Sequence, residues 1–369
     1  MVPVARRNLL AEKGRLAMSV FGVAFAVLLV LIVLSLYRGW SGVGKIITRL
    51  PGDVWVTQPG TNNIFRSSSF LPADRAADLQ AVPGVQLATP VYSREMGYER
   101  DGAAYNVLFM AFDAPPAATA LMPQATRDRY FPEPGQIDID SVFADKAGLH
   151  AGDTMVILDR TLVVAHVTKG GNAVLAQSAF INGADARALY GTAGMVNFYL
   201  ITTQPGADSA AVQRQLAGII PNSEVHASEA FSKALSRDVS EGFLPVVSVL
   251  VAIGIVVGGA VVALTTYTAT IEKARDFGVL KALGASSAYL YRIVITQSVI
   301  VGVLGSLLGV AASAVSMSLI ARWVPEFITD LRATDVAVIF CAALAMAIAA
   351  SYVPVRRINS IDPAMVFRA

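Results

Sequence analysis

The chain alternates between long apolar runs and stretches of ordinary polar composition. Four runs pass the ~18 residues that mark a membrane-spanning helix: 16–37, 242–271, 293–321 and 336–355. Neither 242–271 nor 293–321 contains Asp, Glu, Lys or Arg. Both exceed the roughly 20 residues that a bilayer requires, so they are expected to tilt or to project from it. Between the first and second runs the pattern changes. Alternating or short apolar segments at 53–57, 105–111, 155–158, 161–168 and 198–202 predict strands, and 72–80 and 208–219 predict short helices. Asp140 opens a predicted helix over 140–147 that stops at Gly148, and Gly152-Asp153 turns the chain into the next strand. The expected fold is a polytopic α-helical membrane protein with four transmembrane helices and a large α+β domain between helices 1 and 2.

The segments read as follows: 1–15 an amphipathic interfacial stretch, 16–37 the first span, 38–241 the α+β domain, and 242–271 the second span. A loop, 272–292, joins it to the third span at 293–321; 322–335 is a second loop, 336–355 the fourth span and 356–369 a tail. Ala24-Phe25-Ala26 mimics a signal-cleavage site, but apolar residues continue for another ten positions, beyond a signal core of about 7–15. The first run is therefore read as an uncleaved helix.

Composition agrees: 54% of the 369 residues are hydrophobic and the mean hydropathy is +0.56, too apolar for an ordinary soluble domain. Charge sets the expected orientation. Arg6, Arg7, Lys13, Arg15, Lys273, Arg275, Lys281, Arg292, Arg356, Arg357 and Arg368 all fall in segments on one side, against Glu12, Glu272, Asp276 and Asp362. The positive-inside rule places both termini and 272–292 in the cytoplasm and the α+β domain outside. A net charge of +2 gives no indication of nucleic acid binding.

The loop after the second span carries the most pattern. In IEKARDFGVLKALGASSAYL, residues 271–290, Glu272, Lys273, Arg275, Asp276 and Lys281 alternate with Phe277, Val279, Leu280 and Leu283. This spacing predicts a short amphipathic helix ending at Gly284. Such a helix suits either a protein partner or a connector lying on lipid headgroups, and physics alone leaves both open.

The phrase EKARDFGVLKALGAS resembles the cytoplasmic loop of FtsX/MacB-like permeases of ATP-binding-cassette systems, of the form E-x-x-R-E-I-G-x-x-x-A-x-G-A. Glu272, Arg275, Gly278, Ala282, Gly284 and Ala285 match it, with Asp276 and Phe277 in place of Glu-Ile. The phrase GQIDIDSVFADKAGLHAGDTMVI, from Gly135, resembles the family's insert subdomain (about 135–205 here), and the tail VPVRRINSIDPAMVFR its ending. The opening RNLLAEKGRLAMSVFGVAFA is similar to DevC-type glycolipid exporters.

The resemblance implies an ATPase-coupling helix comprising Glu272, Arg275, Asp276, Phe277, Gly278, Lys281 and Gly284. Phe277 would be its anchor in the ATPase, with Arg275, Asp276 and Lys281 as the rim. It also implies a permease subunit of a bacterial exporter, in the inner membrane, whose outer domain is moved by ATP hydrolysis in two copies of a separate ATPase. That ATPase would bind the ATP and magnesium; no cofactor is expected in this chain and no enzymatic activity of its own. A lipid-like, amphipathic or lipoprotein substrate, a periplasmic adaptor and contact with membrane lipids complete the expectation. The alternative is an FtsX-like signalling subunit that controls a cell-envelope hydrolase without transport. Gly254 and Gly258 in the second span, and Gly305 and Gly309 in the third, form small-residue faces that serve either packing within one subunit or a homodimer seam.

Other motifs fall short. Residues 39–46, GWSGVGKI, have phosphate-loop spacing but end in Ile46, which has no hydroxyl for magnesium, so they read as a hinge. His150, His166 and His226 match no zinc spacing. No serine sits in a G-x-S-x-G elbow, and Cys341 is the only cysteine. No acidic residue falls inside the spans, which disfavours an ion-driven transporter.

Overall fold

The computed structural model describes residues 13–61, 64, 69–169, 171, 177–190, 194–324 and 326–352. The expected segment 1–15 lies outside this range except for its last three residues. The expected tail 356–369 and the last three residues of the fourth span lie wholly outside it. The chain divides into two units, residues 40–242 and, together, 1–39 with 243–369.

The first unit is built on one nine-stranded mixed sheet in the order β11-β1-β10-β3-β4-β8-β5-β7-β6. Its strands are β1 (Val54–Thr57), β3 (Val85–Arg100), β4 (Ala103–Phe112), β5 (Gln136–Asp140), β6 (Thr154–Ile157), β7 (Arg160–Thr168), β8 (Gln177–Ile181), β10 (Phe198–Thr203) and β11 (Glu224–Ala227). A separate pair is formed by β2 (Leu71–Pro72) and β9 (Met195–Val196). Pairing is antiparallel except for β4 with β8 and β5 with β7.

Strict alternation feeds two apolar layers. Val107, Phe109 and Ala111 of β4 join one, packed with Phe143, Leu189, Val212 and Leu216 from helices α5 (Ser141–Ala147), α6 (Gly183–Tyr190) and α7 (Ser209–Leu216). Leu108, Met110 and Phe112 join the other, with Trp55, Phe198, Phe231 and Leu235. Between α1 (Lys13–Ser41) and β1 lies α2 (Lys45–Arg49), whose Ile46 and Ile47 join that second layer. Toward the β6 edge this second face is open: Val156 and Val163 are exposed.

Local signals explain α5. The Asp140 carboxylate accepts from the Val142 N–H at 2.9 Å, and Gly148 takes the left-handed conformation, φ 59°, that ends the helix. The 72–80 helix is a 3-10 turn (Ala73–Arg75) running into α3 (Ala76–Gln80), and α4 (Gln124–Tyr130) follows before β5. The 16-residue β3 escapes the alternation rule because Pro90 and the charged stretch from Arg94 interrupt its apolar pattern. The expected hinge, residues 39–46, spans the boundary between the two units at 39/40. A Cβ at Gly44 would lie 2.0 Å from the Ser232 carbonyl oxygen, and Ser232 Oγ donates to the Gly44 carbonyl at 2.7 Å, so this turn is closely packed.

The second unit contains the helices long and apolar enough to cross a membrane; among the described residues there are four. They are α1, α8 (Ser228–Glu272), α10 (Ser287–Trp323) and α11 (Ala333–Ala350), with the short α9 (Ala274–Ala282) between α8 and α10. The 45-residue α8 starts within the first unit and spans about 68 Å at 1.5 Å per residue, twice a ~30 Å hydrocarbon core. Pro245 lies within it and cannot donate the usual bond to the Glu241 carbonyl.

Val23, Val27 and Leu31 of α1 form the centre of the helical core, with Val262, Val301, Ala343 and Ala347. Buried Gly302, Gly305, Ser306, Gly309 and Ser313 make one stripe of α10. A Cβ at Gly305 would sit 2.6 Å from Val23, and one at Gly309 2.7 Å from the Ala24 carbonyl oxygen. Gly254 faces Val30 and Gly258 faces Ala26 in the same way. At all four glycines the neighbouring atoms include α1 of the same chain, which is the first of the two alternatives given for these faces, packing within one subunit. Among the described residues, ion pairs tie the helices at Arg15 of α1 with Glu272, 2.7 Å, and at Arg38 of α1 with Asp335 of α11, 2.8 Å.

Candidate functional site: the loop between the second and third long helices

Helix α9 is bounded sharply. Gly284 adopts φ +92°, and the Ala285 N–H bonds back to the Leu280 carbonyl at 2.9 Å, closing a Schellman-type stop. Two residues on, the Ser286 hydroxyl accepts from the Tyr289 N–H at 3.3 Å and caps α10. The sequence Gly284-Ala285-Ser286 therefore ends one helix and starts the next with three residues, which holds α9 against the base of α10.

This turn decides which face of α9 is covered. Phe277 is 4% exposed and packs with Leu290, Ile293 and Val294 of α10, with Leu280, Ala285 and Tyr289 beside them. The expectation that Phe277 anchors a partner is therefore corrected: its ring holds α9 to its own chain. Gly278 is buried on the same side. The exposed stripe consists of Arg275, Asp276, Val279, Ala282 and Leu283, at i, i+1, i+4, i+7 and i+8, with Leu283 80% exposed. Of the residues singled out in the sequence, Arg275 and Asp276 lie on this surface. Glu272 sits at the end of α8 and is held by Arg15, Lys281 is half-buried, and Gly284 terminates the helix. Val279 and Leu283 were read only as part of the helix's apolar spacing, not among the residues expected to couple to the ATPase. Their spacing of four marks a second apolar stripe, but only the fold shows that this stripe is the one left open.

The histidines have structural neighbours. His166 Nδ1 lies 2.9 Å from Oδ1 of the fully buried Asp138, and His226 stacks on Phe231 at 5.7 Å. Burial pushes the Asp138 carboxyl up to about 6, while the hydrogen bonds and charge of His166 pull the other way. His150 is exposed beside Asp153. Among the described residues no group of three or more His, Cys, Asp or Glu is placed to hold a metal.

A surface helix between two long apolar helices, in a chain that also carries a sheet domain, is the layout of a membrane protein with one soluble-type domain. Comparison with known proteins identifies the class. The FtsX-like permease C-terminal model matches residues 248–363, and the MacB-like periplasmic core domain model matches 16–219, more than half of the chain. The chain belongs to the FtsX/MacB-like family of ABC transporter permeases. It is similar to an uncharacterized ABC transporter permease of Mycobacterium tuberculosis, 24% identical over 100% of this chain and 99% of that one. It is also similar to one of Methanocaldococcus jannaschii, 27% identical over 44% of this chain and 42% of that one. Among solved structures, the periplasmic region of MacB from Actinobacillus actinomycetemcomitans aligns with 51% of this chain and 95% of that chain, with a TM-score of 0.37 and 10% identity. The family's permeases are non-catalytic subunits, and an ABC permease implies an ATPase partner.

Proposed function

We propose that this permease is the membrane subunit of a bacterial exporter and transmits force from a separate ATPase to an external sheet domain. Both termini and α9 face the cytoplasm in this reading, and two copies pair with two ATPase subunits. A lipid-like or amphipathic substrate is moved from the outer leaflet or the external space without passing through the helices. The observation that carries the reading is α8. It continues in helical conformation from directly after β11 to α9, with Pro245 inside it, so the chain links α9 to the sheet domain without an intervening loop. The Arg15–Glu272 pair couples the same end to α1. The glycine faces are occupied within the chain, so a second copy would meet other surfaces, such as exposed Ile253, Val256, Val257 and Leu264 of α8.

The ATPase would seat on the exposed stripe of α9, with Leu283 and Val279 as apolar anchors and Arg275 and Asp276 as orienting charges. Leu283→Asp should weaken association of the purified permease with its ATPase by roughly thirtyfold or more, corresponding to about 2 kcal/mol. Phe277→Leu, which keeps the inner contact apolar, should leave association within a few-fold. Normal ATPase binding by Leu283→Asp would overturn the docking surface and favour a connector lying on lipid.

A further inference from the structure

A pocket opens in the helical unit at the end where Arg15 meets Glu272. Its walls come from α1, α8, α10 and α9, and their chemistry is divided. One part carries Arg15, Lys273 and the hydroxyls of Ser19, Thr265, Thr266 and Thr270, with the Gln297 amide. The other part is apolar, with Leu16, Ala269, Phe277 and Val301. Ser19 Oγ donates to Thr265 Oγ1 at 2.7 Å, and Thr265 Oγ1 bonds the Val261 carbonyl at 2.7 Å, so the hydroxyls are fixed by the helices that carry them. Glu272 stands at the rim, more than half exposed, with both carboxylate oxygens 2.7 Å from one Arg15 nitrogen.

Two cations, the Gln297 amide and the Thr266 hydroxyl among apolar helix faces match a tetrahedral oxyanion, since Arg and Lys supply charge and the amide and hydroxyl supply donors, while the Ser19, Thr265 and Thr270 hydroxyls donate within the protein and line the polar wall. The level of the pocket indicates what carries that anion. It lies where the apolar run of α1 begins and that of α8 ends, the depth of a headgroup-to-acyl boundary, and exposed Met18, Phe21 and Phe25 follow on α1. We propose that this pocket binds the phosphate of an anionic glycerophospholipid, which then bridges α1 to the start of α9 in competition with Glu272. The assignment of that lipid to the cytoplasmic leaflet rests on the orientation argued above; the binding itself does not. Occupancy would set how firmly α9 is tied to α1, making the permease responsive to the surrounding lipid.

The test is native mass spectrometry of the full chain in detergent, titrated with phosphatidylglycerol, with phosphatidylcholine or with inorganic phosphate. No ATPase is present, so failure of the coupling reading leaves this result untouched, and the converse holds. Phosphatidylglycerol should bind, and the double variant Arg15→Gln/Lys273→Gln should bind it at least tenfold more weakly. Lys13→Gln/Arg292→Gln removes the same charge outside the pocket and should stay within twofold of the parent. Glu272→Gln, which removes only the competing acid, should tighten binding several-fold and serves if the first double variant does not fold. Equal losses in both double variants, or unchanged affinity in Glu272→Gln, would overturn the pocket. Equal binding of phosphatidylcholine would overturn the selectivity for an anionic headgroup. Displacement of the lipid by an equal concentration of inorganic phosphate would overturn the lipid as the source.

Discussion

The sheet domain and the helical unit are held together in opposite ways. In the sheet domain the largest buried groups are aromatic: Trp55, Phe109, Phe143, Phe198, Tyr199 and Phe231 are all under 2% exposed. Trp55 alone makes ring contacts with Phe198 at 5.8 Å and Phe231 at 5.6 Å. In the helical unit the tight contacts occur at glycines and serines, where α1 meets α8 and α10 backbone to side chain. Water rewards the burial of large apolar groups, so a domain in water gains by enclosing rings. Lipid offers no such reward, and helices there gain by close approach and dispersion contacts. The contrast in core composition is thus what two different solvents would select.

The largest effect should come from breaking the aromatic layer. Trp55→Ala removes the ring at its centre and should cost about 3–5 kcal/mol, seen as protease sensitivity of residues 40–242 in the full chain while the helical unit stays resistant. Loss of protection in both units together would show one cooperative core in place of two.

A smaller effect is expected from the charge buried in the sheet. The folded-state pKa of Asp138 lies above its unfolded value of 3.8, so its stabilising contribution is complete below about 4 and is lost as pH rises through about 6. A rise from 3.8 to about 6 corresponds to about 3 kcal/mol at most. Asp138→Asn is neutral throughout, so its stability relative to the parent should rise by about 2–3 kcal/mol between pH 4 and pH 7, measured by thermal unfolding of the full chain. A pH-independent difference would mean that His166 holds the carboxylate charged in the folded state.

Smaller again is the expected cost of crowding the helices. Gly305→Leu drives a side chain into Val23 and should cost about 1–3 kcal/mol, lowering the melting temperature of the helical unit in detergent without altering the proteolysis of the sheet domain. A tolerated substitution would show that α1 and α10 can separate cheaply, and the contrast between the two cores would weaken.

The chain's own residues determined a good deal. Apolar run length set the four long helices, because a bilayer-scale stretch without charge has few other stable uses. Asp140 and Gly148 set both ends of α5, because capping depends on a side chain and a backbone conformation only a few residues apart. Family membership was legible for a similar reason, since the loop and insert motifs are local strings. Other features waited for the tertiary structure. Strand β3 was hidden because Pro90 sits in a strand whose neighbours, β10 and β4, include one supplied from far along the chain. The faces of α9 could not be ranked, since Phe277 with Leu280 and Val279 with Leu283 are both apolar at helical spacing. Only the tight Gly284–Ser286 turn, by folding α9 back on α10, decided that Phe277 is covered and Leu283 exposed. The four glycines likewise announced close approach but not the partner. Backbone proximity is a property of two helices, and α1, more than 200 residues from α8's glycines, was the one that filled them.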